Sequence, residues 1–89
     1  MKYIVKKKGH LEKFDERKLY ASCYASFLAA QMPHDDAHKL CGRVCIGIKK
    51  WLVGKDTITA HQIAQETIKH IRKHNKEAAF MYETHEDIS

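Results

Sequence analysis

An α+β chain that is mostly helical, in which an N-terminal β-hairpin and a short third strand cap a four-helix bundle, is what the patterning of these residues predicts. Three observations carry that expectation. β-Branched and aromatic residues gather at Tyr3–Val5 and again at Thr57–Thr59; four separate stretches repeat apolar residues at helical spacing; and one Pro and four Gly in 89 residues leave helices few interruptions. Hydrophobic content of 44% lies well inside the folded class.

Tyr3, Ile4 and Val5 read as a strand, "KKKG" as a turn at Gly9, and Leu11 to Phe14 as its alternating return. Asp15 is a natural N-cap, after which Leu19, Cys23, Phe27 and Ala30 share one face, predicting a first helix over roughly 15–31. Ala37, Leu40, Cys41, Val44, Ile48 and Trp51 define a second helix over about 35–53, opened by acids that suit a helix N-terminus and ended by Gly54. Thr57, Ile58 and Thr59 suit a third strand, and Thr59 with Gln62 forms a capping-box signature for a third helix carrying Ile63, Thr67 and Ile71. Asn75 then caps a last helix whose inner face holds Ala78, Met81 and Tyr82. Four amphipathic stripes are best buried against one another, with the small sheet across one end.

The whole chain, 1–89, reads as a single domain, without linker, repeat or low-complexity tract. A chain of this size buries only roughly 60–65% of its unfolded surface, which leaves little to wall a deep reaction chamber, so a non-enzymatic protein is expected. Three cysteines make no disulfide framework, no apolar run is long enough to span a membrane, and "MKYIVKKKGH" is no signal peptide, which makes the cytoplasm the expected compartment. The formal charge is +5, and residues 1–18 hold seven bases against three acids. A focal basic patch favours an anionic partner, whereas lysines on an edge hairpin also serve simply to block sheet-to-sheet association. Lys18, in the first turn of the first helix, sits where unpaired N–H groups already carry partial positive charge; an arriving phosphate would turn that local repulsion into attraction.

"IVKKKG", followed by Glu12 and "FDERKL", resembles the ATP-cone, whose pattern is a β-branched pair, Lys-Arg-Asp/Asn-Gly, a Glu three residues on, and a Phe-Asp-x-x-Lys-hydrophobic helix start. The likeness continues through "TITAHQI" and "AAFMYE", covering essentially the whole chain. The resemblance implies a regulatory module that binds ATP or dATP, with Mg2+ as an accompanying ion, and alters subunit association, as in ribonucleotide reductases and the repressor of their genes. It implies that Ile4 and Val5 border the base, that Lys6 and Lys7 close the hairpin over the nucleotide, that Glu12 and Asp15 offer acceptors to the adenine amino group or the ribose, and that Lys18 meets the phosphates. His61 would stand in for polar contacts that some members make from the third helix, where Ala60 and Ala64 occupy the matching positions here. Lys7 stands where the family usually has Arg, losing a planar bidentate fork, and Lys8 where it has an acid or amide. No "GxxxxGK[ST]" cradle occurs, and no residue set places water and metal for phosphoryl transfer.

His34, His38, Cys41 and Cys45 fall along one face of the second helix, but a straight helix sets the outer two about 16 Å apart, too far to share one ion. No metal centre is expected; Cys41 and Cys45 read as small core thiols, and the most a metal would find is the pair His34 and His38. His70 and His74 repeat that spacing and read as a solvated helix end. Tyr20, Tyr24 and Trp51 read as core or interface rather than as stacking platforms for bases. The expected protein is therefore a free-standing nucleotide sensor acting through association with itself or a separate protein partner, with a small basic nucleic-acid-binding protein as the alternative. Nucleic acid is the less favoured partner, because no "CxxC" is present to build the zinc ribbon through which the family's repressors hold DNA.

Overall fold

The computed structural model describes residues 3–5 and 10–85, in the order β1 (Tyr3–Val5), β2 (Leu11–Lys13), α1 (Glu16–Ala29), α2 (His34–Leu52), β3 (Thr57–Thr59), α3 (Ala60–His74) and α4 (Lys76–His85). The predicted turn at Lys6–Gly9 lies outside the described residues. β1 is the centre of the sheet, antiparallel to β2 and parallel to β3. The register sets Ile4 opposite both Glu12 and Ile58. Residues paired directly across strands project to the same face, so these three turn toward the helices while Tyr3, Val5 and Leu11 take the other side. The four helices form a ring in which α1 packs on α2 and α4, and α3 on the same two, as the four apolar stripes require.

Local chemistry sets the helix starts. The Asp15 carboxylate accepts from the Arg17 N–H at 2.9 Å, which caps α1. Thr59 and Gln62 exchange side-chain and backbone bonds at 2.9 and 3.0 Å, the reciprocal box that opens α3. Asn75 Oδ1 accepts from the Ala78 N–H at 2.9 Å and starts α4. Each of these polar groups lies within three residues of its partner, which is why the sequence alone locates them.

The end of α1 differs from the predicted boundary near residue 31. Met32 N–H bonds to Phe27 O, and Gln31 N–H to Leu28 O, with Gln31 at φ 67°, so the helix closes early in a Schellman turn. A left-handed residue with a Cβ is strained by about 1–2 kcal/mol. Gln31→Gly is therefore expected to raise stability by roughly 0.5–1 kcal/mol in urea unfolding, and a lower midpoint would contradict this account of the turn. α2 ends as expected just before Gly54, which adopts φ 82°.

The core gathers Phe27, Ile48, Ile71, Val44, Thr67, Cys23 and Cys41, all fully buried. The Thr67 hydroxyl donates to Ile63 O at 2.7 Å, which satisfies the polar group in that interior. The cysteines are the small core thiols that the stripe predicts: burial pushes the Cys41 thiol up to about 12, and the Cys23 and Cys45 thiols also up, so all three stay protonated at neutral pH. Tyr20, Tyr24 and Trp51 are half-buried against the core, and among the described residues the large apolar side chains left exposed are Tyr3, Leu11, Ile46, Val53 and Phe80.

Candidate functional site

A cleft of about 640 Å³ opens where the sheet meets α1 and α3. Three features of the chain build it. The inward face of the sheet contributes Ile4 and Glu12 at one end. The start of α1, fixed by its cap, holds Asp15 and Lys18 beside them. Along the wall beyond, past Leu19, α1 presents the small residues Ala21, Ser22, Ala25, Ser26 and Ala29, facing Ala60, Ile63, Ala64 and Thr67 of α3, with Tyr82 of α4 alongside. Two helices lined by alanine and serine leave open volume between them where leucines would have filled it.

The cleft is electrically divided. Lys18 Nζ lies 3.2 Å from Glu12 Oε1, an ion pair whose lysine side chain is 69% exposed. Such an exposed pair contributes little to stability and is easily exchanged for another partner. Asp15 accepts the Arg17 N–H, and that backbone bond, ahead of the Arg17 charge, holds its carboxyl below the usual range, so it is ionised at neutral pH. Lys13, not singled out from the sequence, also borders the cleft. The charged groups thus collect at the sheet end, and the walls farther along α1 are small, mostly apolar groups. Hydroxyls punctuate that wall: Ser22 donates to Lys18 O and Ser26 to Ser22 O, each at 2.9 Å. With their protons committed to their own helix, these oxygens retain acceptor capacity only.

Of the residues that the sequence placed at a site, Ile4, Glu12, Asp15 and Lys18 meet at this cleft. Val5 is half-buried on the opposite side of the strand, as a period of two requires, and does not border it. His61 is exposed in the first turn of α3, also away from the cleft wall, where Ala60 and Ala64 stand instead. Lys6 and Lys7 lie outside the described residues. Among the described residues, no group of three or more His, Cys, Asp or Glu is placed to hold a metal ion, and no helix is long and apolar enough to cross a membrane.

A small three-stranded sheet across one end of a helical ring thus leaves a charged-and-apolar cleft at the junction, of a size and character that suit a small-molecule ligand. Residues 2–83 match the family model of the ATP cone domain, and the chain belongs to that family, whose domains are regulatory and bind adenine nucleotides. Neither a curated protein nor a solved structure matches it.

Proposed function

We propose that the cleft binds ATP or dATP as a regulatory ligand, with the phosphates at the Lys18 end and the base between the small residues of α1 and α3. The observation that supports this most directly is the meeting of Ile4, Glu12, Asp15 and Lys18 on one cleft within the span of the family match. A triphosphate brings about four negative charges, and each well-formed charge-assisted bond contributes about 1.5–3 kcal/mol, so Lys18, together with the Lys6 and Lys7 that the family pattern assigns to the nucleotide, would supply enough for micromolar binding. The oxygens of Ser22 and Ser26, along the wall that takes the base, are acceptors, complementary to an amino group on the base and not to a ring carbonyl. Mg2+ would come with the triphosphate, held chiefly by phosphate and water, because one Asp15 oxygen is already engaged by the Arg17 N–H.

Calorimetry with ATP, dATP, GTP and a short DNA duplex tests the reading. Saturable binding of the adenine nucleotides, with GTP much weaker, is the expected result. Duplex binding with a steep salt dependence and no response to ATP would instead establish the nucleic-acid alternative.

Binding conveys information only when two states differ in affinity for the ligand. We infer that the second state is an assembly, either of this chain with itself or with a separate protein, formed through exposed apolar side chains such as Leu11, Ile46, Val53 and Phe80. Exchanging saturating ATP for dATP is expected to shift the mass measured by light scattering. An unchanged monomer with both nucleotides would eliminate self-association and leave the separate partner.

A further inference from the structure

We propose that His34 and His38 form a binding site for a divalent transition-metal ion with imidazole preference, such as zinc, nickel or copper. The two histidines stand one turn apart at the start of α2, both exposed, at the spacing that lets two imidazoles on one helix reach the same ion. Spacing alone does not decide the matter, since His70 and His74 share it.

What separates the pairs is the state of the ring nitrogens. The Tyr20 hydroxyl lies 2.6 Å from His38 Nδ1 and is also within 3.5 Å of the His38 carbonyl, to which it donates. With Nδ1 of His38 held by this hydroxyl, whose proton can turn to the carbonyl, Nε2 is the nitrogen left open to an arriving metal ion. Tyr24 makes the corresponding bond to Nδ1 of His34. The Tyr24 ring also stacks on His38 with centroids 4.6 Å apart, and Tyr20 stacks on Tyr24 at 6.4 Å. Two tyrosines one turn apart on α1 thus hold two histidines one turn apart on α2, each by the nitrogen that a metal bound through Nε2 does not need. Metal-binding histidines are ordinarily oriented by such a bond at their second nitrogen.

His70 is arranged the other way round. Its Nε2 lies 3.3 Å from Glu66 Oε2, and its ring is packed against Gly47. His74 lies beside Arg43 and Lys73, whose charges oppose an arriving cation. At the start of α2 the helix dipole also disfavours a cation, but Asp35 and Asp36 in the same turn offset it. No third protein ligand joins the pair among the described residues, so water completes the coordination shell.

The test is a zinc titration of the full chain by calorimetry, followed by thermal unfolding with zinc and with zinc plus chelator. Wild type is expected to bind one ion at a saturable site and to gain a higher Tm that the chelator removes. His34→Ala and His38→Ala should each abolish that binding while keeping the helical circular dichroism of wild type, since both side chains are exposed. The double variant His70→Ala/His74→Ala should retain it. Tyr20→Phe, which leaves both ligands in place and removes only the bond that orients His38, should weaken the ion by about tenfold. Absence of saturable binding to wild type, or binding that persists in His38→Ala, overturns the proposal.

Discussion

Phe27→Ala should cost about 3–5 kcal/mol, the range for truncating a fully buried aromatic ring whose surroundings do not collapse into the space. Phe27 has no exposed surface, and it lies on the α1 stripe with Leu19, Cys23 and Ala30, in one cluster with Val44, Ile48 and Ile71. Total stabilities of about 5–15 kcal/mol are usual, and a chain of this length belongs at the lower end. The variant is therefore expected to be largely unfolded at 37 °C, with urea denaturation at low temperature giving the difference. A loss under about 1 kcal/mol would mean that α1 is not packed through this residue.

Lys18→Ala should weaken ATP by at least about tenfold, near 1.4 kcal/mol, while hardly moving the Tm of the ligand-free protein. The two halves of this expectation have separate causes. Lys18 is mostly exposed, and its partner Glu12 is exposed enough for water to replace the pair, so folding loses little. Binding loses more than one contact, because the Glu12 carboxylate is left without its counter-charge beside the phosphates. Glu12→Gln provides the contrast: it keeps an acceptor and releases Lys18, so phosphate binding should be at least as strong as in wild type. Equal affinity of Lys18→Ala and wild type would remove Lys18 from the site.

What the chain reveals on reading divides by the range of the interaction involved. The caps at Asp15, Thr59 and Asn75 are legible because donor and acceptor are neighbours in sequence, and the core stripe of α2 is legible because its period is fixed by the helix. The end of α1 is less so, since a Gln at the left-handed position gives none of the signal that a Gly would. The row Ala21, Ser22, Ala25, Ser26 and Ala29 carries no signal in the sequence, because small residues register neither as core nor as surface. Its meaning appears only when a second row of small residues on α3 is set opposite. Val5 and Ile4 look equivalent as a β-branched pair, and only strand alternation, once the sheet is placed, puts one on the cleft and the other away from it. The two His pairs share one spacing, and the neighbours that set them apart come only from the register of α1 on α2 and of α2 on α3, which supplies tyrosines to one and a glutamate and a glycine to the other.

The parallel pairing of β1 with β3 has a kinetic consequence. Tyr3 meets Thr57, and its N–H bonds to Asp56 O at 3.1 Å, so the first strand has no parallel partner until two helices and the turn at Gly54 have formed. Contacts between consecutive helices close short loops and form early, whereas this pairing closes one of the longest loops in the chain and forms late. By the same reasoning it opens first, and the backbone amides of Tyr3 to Val5 should exchange with solvent through a partial opening that leaves Ile48 and Ile71 protected. A ligand in contact with both β1 and α1 works against that opening. Slowed deuterium uptake in the first strand, with the helices unchanged, is then the earliest sign that the cleft is filled.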